Sequence, residues 1–464
     1  MVFSSAIFLW VFLPVVFIVN YFIKPQYSNI LLVIASLIFY AWGEPVLVLL
    51  MMASIVINWL VGLGISRYNK RKNIVLLVGI VFDLVILGYY KYAGFFASTI
   101  NMIIGRDALD VPHIALPIGI SFFTFQAISY IIDVYRGDTE AQPRLINTAL
   151  YISFFPQLIA GPIVKYREIN KQIENRTITS NGIAIGFRRF IYGLAKKVLI
   201  SNVLGLCADT IYSYDISAIS GKMAWIAALT YTFQIYYDFS GYSDMAIGLG
   251  KMFGFDIPEN FNYPYVSKSI TEFWRRWHIS LGSWFREYLY IPLGGNRKGE
   301  IRTYINLFIV FFFTGMWHGA SFSFIFWGLY HGFFSIIERL GLKKVLDRFK
   351  ILSILYCFII VNFGWVFFRV DGIKRALAVI KRMIMPWNYM NCDIDFGFYG
   401  DKQTIFIALC ALLGAGVVKY CVPAKISDKW RGSVIEVIYC AVLLSLCLAS
   451  IATNTYNPFI YFQF

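Results

Sequence analysis

Charge is scarce in this chain. Lys, Arg, Asp and Glu make up 14% of 464 residues, against a hydrophobic share of 59% and a mean hydropathy of +0.64. Soluble domains carry about 25% charged residues, so the deficit excludes an ordinary soluble fold and points to a polytopic membrane protein. Acid is scarcer than base, with 26 Asp and Glu against 41 Lys and Arg and a net charge of +15. The cations lie in short segments between apolar runs instead of one basic tract, so they read as topology signals and lipid contacts, and a nucleic-acid partner is excluded. The seven cysteines (Cys207, Cys357, Cys392, Cys410, Cys421, Cys440 and Cys447) form no C-x-x-C pair and lie mostly in apolar runs. Neither a disulfide framework nor a zinc site is indicated, and no metal is expected. Walker A, G-x-S-x-G, H-E-x-x-H and G-x-G-x-x-G patterns are all missing, which leaves nucleotide hydrolysis, serine hydrolase chemistry and zinc proteolysis without support.

What the chain has in quantity is apolar runs. A bilayer core about 30 Å thick takes about 20 helical residues, and clear runs occupy 5–23, 45–65, 73–90, 114–135, 351–368, 404–420 and 433–450, with a shorter one at 30–42. About 11 spans are expected in all, with no linker long enough to part a soluble domain. The first run has no basic segment before it and no small-residue cleavage site after it, so it is expected to stay as a helix. "SRYNKRKN" at 66–73 holds four cations and no acid, which places that connection in the cytoplasm and, three spans back, the N-terminus outside. Two further basic connections, "GLKKVLDRFK" and "DGIKRALAVIKR", flank the run at 351. They conflict under strict alternation, so one of them is expected to be an interfacial helix or an external loop.

The segment 231–299 is too polar for a lipid-facing span and too aromatic for an ordinary loop, so it belongs inside the protein or at the interface. Drawn as one helix, Trp274, Trp277, His278, Leu281, Trp284, Phe285 and Tyr288 share a face that carries His278, with Arg275, Arg286, Arg297 and Lys298 as nearby cations. An amphipathic interfacial helix with snorkelling arginines accounts for the same pattern.

"FFFTGMWHGASFSFIFWGLYHGFF" at 311–334 contains no Lys, Arg, Asp or Glu, yet holds two of the four histidines. Polar groups at membrane depth are functional candidates. Gly315, Gly319 and Ala320 leave room for a ligand beside His318, and burial favours the neutral imidazole that a general base requires. His331 is thirteen residues on, about 20 Å along a continuous helix, and reads as a capping or interfacial residue. His113, beside Pro112, reads as structural.

"YYDFSGYSDMAIGLGKMFGFDIPENFNYPY", "SITEFWRRWHISLGSWFREYLYIPLGGNRKG" and "FTGMWHGASFSFIFWGLYHG" resemble the hallmark blocks of membrane-bound O-acyltransferases, in their alginate O-acetyltransferase branch. "FSSAIFLWVFLPVVF", "ASLIFYAWGEP", "LPIGISFFTFQAISYIIDVYRG" and "FFPQLIAGPIVKYREI" fit as well, and the resemblance weakens only beyond about residue 370. The H-x4-D pair of the unrelated glycerolipid acyltransferases is absent. The resemblance implies an all-α membrane protein in one domain: N-terminal helices at 1–135, a catalytic core with re-entrant and interfacial segments at 136–340, and C-terminal helices at 341–464, around an hourglass tunnel. Pro156, Gly161 and Pro162 suit a re-entrant element lining such a cavity.

By the same resemblance His318, in the W-H-G block, is the general base, and His278 orients the acceptor or stabilises charge; Trp317, just before His318, is expected to bind substrate. Arg275, Arg276 and nearby Lys268 are expected contacts for the phosphates of a cytoplasmic donor. That donor is acetyl-coenzyme A or another acyl thioester, with no bound cofactor. Asp238, Tyr242 and Asp244 are either site residues or a buried polar network tying helices together. Direct transfer is preferred to an acyl-enzyme, since no Ser or Cys lies in a nucleophile motif. The protein is expected in the cytoplasmic (inner) membrane, with a hydrolase-like extracytoplasmic acetyltransferase as partner and a polysaccharide as acceptor. D-alanyl transfer to teichoic acid by the same fold and a non-enzymatic transporter or scaffold are the rival readings; no internal repeat of the transporter kind is evident.

Overall fold

The computed structural model describes residues 1–390, 401–418, 430, 432–453 and 456–460, and among them all regular structure is helical. Cys392, Cys421 and the end of the 404–420 run lie outside the described residues. The chain divides into two compact units, Met1–Phe190 with Tyr242–Pro258 and Ile191–Gly241 with Glu259–Phe464.

In the first unit the helices Val48–Arg67, Lys72–Leu87 and Ile120–Arg136 pack together. Val56, Leu60, Leu77, Val78, Val81, Leu84 and Val85 face outward, while Ser54, Asn58 and Asp83 are buried. Asn58 Nδ2 donates to Asp83 Oδ1 at 2.9 Å and to the Ser54 carbonyl at 3.0 Å. This inverts the arrangement of a soluble protein. It suits a bilayer, where an outward Leu loses nothing and polar groups must find partners inside.

The 73–90 run is longer than its composition indicated. The helix continues through a π-turn at Gly88–Tyr92 to Ile104, giving a 36-residue stretch, Asn69–Ile104. Lys91, which marks a span end in the sequence, is buried with its Nζ 3.1 Å from Ser121 Oγ. Conversely, the run beginning at 114 becomes helical only at Ile120, after Gly119. That glycine has φ +75°, and a Cβ on it would stand 2.8 Å from the Leu158 carbonyl oxygen. In "FFPQLIAGPI" the helix Leu145–Ser153 breaks at Phe154, one turn follows at Phe155–Leu158, and the irregular backbone beyond is buried. Gln157 Nε2 donates to the Tyr151 carbonyl at 2.6 Å, and the Tyr151 hydroxyl donates to the Val164 carbonyl at 3.0 Å. The polar groups freed by the break thus gain partners within the protein.

Five described helices are long and apolar enough to cross a membrane: Val48–Arg67, Asn69–Ile104, Ser180–Ser213, Lys350–Arg369 and Val434–Thr453. Phe8–Phe22, Pro25–Ala41 and Lys402–Val417 are shorter apolar helices. Gly221–Met252 is a 32-residue helix, buried along most of its length, which is why so polar a sequence survives there. In the second unit the basic segment after Lys350–Arg369 forms an amphipathic helix, Ile373–Ile384, that buries Ala376, Val379, Ile380 and Met383. Arg375 caps carbonyls of Tyr212 and Tyr214, each at 2.7 Å. Its cations therefore belong to a helix packed along the protein and mark no simple loop between spans.

Candidate active site

The aromatic segment at 270–290 is two short helices and a π-turn, in place of the single helix that its spacing suggests. Ile270–Arg276 begins at Ser269, whose side chain accepts from Glu272 N at 3.0 Å. The buried Glu338 carboxylate accepts from Ile270 N at 2.6 Å and from Thr271 N and Oγ1 at 3.2 and 3.1 Å. With three donors the carboxylate holds that helix start against the end of the Phe322–Ile337 helix. The helix ends at Trp277, and His278 takes φ +45°, ψ +56° before Ile279–Phe285 begins. Apart from Tyr263, no described non-glycine residue has positive φ. A left-handed side-chain residue costs about 1–3 kcal/mol and persists where its surroundings hold it.

The surroundings here are Asn260. Its carbonyl accepts from Ile279 N at 3.0 Å, and its side-chain Oδ1 accepts from Ser280 N at 3.2 Å and Ser280 Oγ at 2.9 Å. The same Oδ1 lies 3.2 Å from His278 Nδ1. Asn260, His278 and Ser280 are all buried.

His318 ends the helix Glu300–His318. The apolar stretch 311–334 turns at Gly319–Ser321, and Ser321 caps the returning helix Phe322–Ile337. The two helices approach through glycine: a Cβ on Gly328 would meet the Phe311 carbonyl oxygen at 2.3 Å, and one on Gly315 the Phe324 carbonyl oxygen at 2.4 Å. His318 is buried in an aromatic box, edge-on to Trp317 at 4.9 Å, Trp327 at 5.0 Å and Phe368 at 5.2 Å between centroids. Trp317 also meets His278 edge-on, at 5.8 Å. The structure thus brings His278, Trp317 and His318 together. A neutral imidazole in such surroundings can accept a hydroxyl proton, which is general-base chemistry.

The hairpin corrects the reading of His331. Separation along one continuous helix does not apply, because His331 lies on the returning helix, and its ring meets the same Trp327 at 5.3 Å. It is fully buried and lies within that helix, so it does not cap it.

A cavity of about 670 Å³ is lined by His278, Trp274, Thr314 and Ser335 and by the exposed arginines Arg275, Arg286 and Arg339, whereas Trp317 and His318 are not among its lining residues. Among the described residues none of these three arginines has a carboxylate partner. Arg276 is turned elsewhere: Glu272 pairs with it at 2.8 Å, and it donates to the Asn262 carbonyl at 3.1 Å. Lys268 does not line the cavity either.

Asp238 is buried with Lys197, 2.5 Å apart, and accepts from Ile460 N at 2.9 Å. In the first unit Asp244 pairs with Arg189 at 2.6 Å, and Tyr242 stacks on Phe3 at 4.5 Å. Each of the three has a structural contact of its own. Among the described residues no group of three His, Cys, Asp or Glu converges as metal ligands would. Asn260 and Arg339 were not picked out from sequence. Asn260 lies in a block that resembles the family's, but nothing in "PENFNYPY" marks it out from its neighbours, and Arg339 follows an apolar run, where a cation reads as an interfacial anchor.

Comparison with known proteins accords with this geometry. Residues 34–370 match the membrane-bound O-acyltransferase family. Over the full length of both chains the protein is 42% identical to a probable alginate O-acetylase of Pseudomonas putida. It is 39% identical to a peptidoglycan O-acetyltransferase of Helicobacter pylori, over 83% of this chain and 80% of that one. A teichoic acid D-alanyltransferase of Bacillus subtilis is 31% identical over 46% of this chain and 56% of its own. A multi-pass helical membrane protein with this coverage is an acyltransferase, and the chain belongs to the membrane-bound O-acyltransferase family, in its alginate O-acetylase branch.

Proposed function

We propose that the protein transfers an acetyl group from a thioester donor, acetyl-coenzyme A or an acyl carrier, toward the hydroxyl groups of an extracytoplasmic polysaccharide. His318 takes the acceptor hydroxyl proton as the oxygen attacks the thioester carbonyl. The carbon–sulfur bond breaks as the tetrahedral intermediate collapses, and the thiolate leaves to be protonated. A thioester is already activated, so positioning and one base supply most of what the reaction needs. The observation that carries this reading is the contact of Trp317 with both His278 and His318, together with a cavity that His278 lines with three arginines that have no carboxylate partner among the described residues. Arginine forks suit the phosphates of such a donor.

The cations at 66–73 argue for a cytoplasmic connection there, an N-terminus outside and residence in the cytoplasmic membrane. A separate hydrolase-like acetyltransferase outside the membrane would receive the group and place it on the glycan. Full-length similarity to an alginate O-acetylase, against partial similarity to a D-alanyltransferase, favours acetyl over D-alanyl transfer.

The test is polysaccharide-bound acetate in cells carrying the wild type, His318→Ala or His278→Ala at matched membrane levels. Acetate should vanish in the first variant and fall in the second. Near-normal acetate with His318→Ala would remove that residue from the chemistry and favour a scaffold.

A further inference from the structure

His278 can serve the reaction in two opposite ways: with a lone pair it accepts from a hydroxyl of the acceptor next to the one that His318 deprotonates, and with an N–H it donates to a developing oxyanion. The hydrogen bonds around it select between them. Ser280 N is a backbone donor and nothing else, so the Asn260 atom 3.2 Å from it is the amide oxygen, and the orientation of the carboxamide is fixed. The Ser280 hydroxyl, 2.9 Å away, donates to the same oxygen. An amide oxygen only accepts. His278 Nδ1, 3.2 Å from that oxygen, therefore carries the proton and donates. In a neutral ring this leaves the lone pair on Nε2.

The backbone reinforces the choice. The left-handed turn at His278 sets its ring over Asn260, and Asn260 holds both residues that follow, through Ile279 N and Ser280 N. Asn260 is wholly buried, so water does not compete for its oxygen.

We infer that Asn260 is a positioning residue that locks His278 in the tautomer protonated at Nδ1, so that Nε2 accepts a hydrogen bond from a hydroxyl of the acceptor other than the one that His318 deprotonates, and does not donate to the oxyanion. It touches no reacting atom itself. The inference rests on the transferase reading for its consequence and on geometry alone for the tautomer, which makes the two separately testable.

The tautomer is read by nitrogen NMR on full-length protein labelled with 15N-histidine, the His278 signals being those lost in His278→Ala. The wild type should show a protonated Nδ1 and an unprotonated Nε2. Asn260→Ala should lose that single state, whereas Asn260→Asp, which keeps an acceptor oxygen, should retain it at alkaline pH, where the ring is neutral. In the acetyl-transfer assay Asn260→Ala should lower kcat about 10- to 100-fold with the donor KM within about twofold, the scale of loss for an orienting partner of a functional histidine. Asn260→Asp should recover activity at alkaline pH, with its acid limb moved to higher pH, because a carboxylate at Nδ1 favours the charged ring that cannot accept.

A wild-type ring protonated at Nε2, or an unchanged Nδ1–H state in Asn260→Ala, would overturn the inference while leaving the transferase reading intact. Should Asn260→Ala not fold, the wild-type tautomer and the pH profile of Asn260→Asp decide instead, and an unshifted profile counts against it. A wild type that shows the expected tautomer but releases no thiol with any thioester would instead overturn the transferase reading.

Discussion

Trp317 stands edge-on to His278, ring centroids 5.8 Å apart at 69°, and the same indole meets His318 at 4.9 Å. One side chain therefore sets the spacing of the two imidazoles. Trp317→Ala should lower acetyl transfer about a hundredfold, the scale of a displacement of about 1 Å at a reacting centre. Trp317→Phe keeps an aromatic edge and should lose about tenfold less. Equal losses in the two variants, measured as initial rates on equal amounts of folded protein, would contradict this role.

Arg275, Arg286 and Arg339 line the cavity, while Arg276 is held by Glu272. Removing a charge-assisted bond to a phosphate costs about 1.5–3 kcal/mol, so Ala at any of the three should raise the donor Kd about ten- to a hundredfold. Arg276→Ala breaks a half-exposed pair worth about 0–1 kcal/mol and should leave Kd within about threefold. Binding of labelled acetyl-coenzyme A across the four variants checks the ranking. A larger effect at Arg276 would move the donor site away from this cavity.

Asp238 and Lys197 are buried together. Asp238→Ala leaves an uncompensated buried cation, so stability should fall by about 3–5 kcal/mol, seen as a lower Tm in detergent. Combining Lys197→Met with Asp238→Leu should recover most of the loss. Retained Tm with lost transfer in Asp238→Ala would instead make Asp238 a site residue.

Gly328 lies against Phe311 and Gly315 across the hairpin that ends in His318. Gly328→Ala should destabilise by about 1–3 kcal/mol through overpacking and reduce transfer by displacing His318. Gly88→Ala, where a Cβ meets nothing within 4 Å, should be neutral or slightly stabilising. Thermal unfolding of both variants separates a packing glycine from a tolerated one.

These residues also show what the sequence made legible. His318 stood out because an imidazole within an uncharged apolar run needs a reason, and His278 because aromatic and basic residues crowd around it. Helical periodicity carried both too far. The left-handed turn at His278 breaks the 270–290 segment, and the Ser321 cap after Gly319 folds the 311–334 stretch back on itself. Ser321 was a readable start signal. The turn at His278 depends on Asn260, eighteen residues earlier, and no local pattern records that contact. Arg276 differs from Arg275 in having Glu272 four residues before it, a spacing that the sequence holds, but its bond to the Asn262 carbonyl and the place of Arg275 on the cavity wall are visible only in the fold.

The most direct test is thiol release by the purified protein, given acetyl-coenzyme A with a soluble glycan acceptor or the partner acetyltransferase. Direct transfer based on His318 predicts release that requires the acceptor, falls at least a thousandfold in His318→Ala and needs more donor when Arg275 is replaced by Lys. Release that never exceeds the His318→Ala level with acetyl-coenzyme A or with an acyl-carrier thioester would contradict it and leave the chain a conduit.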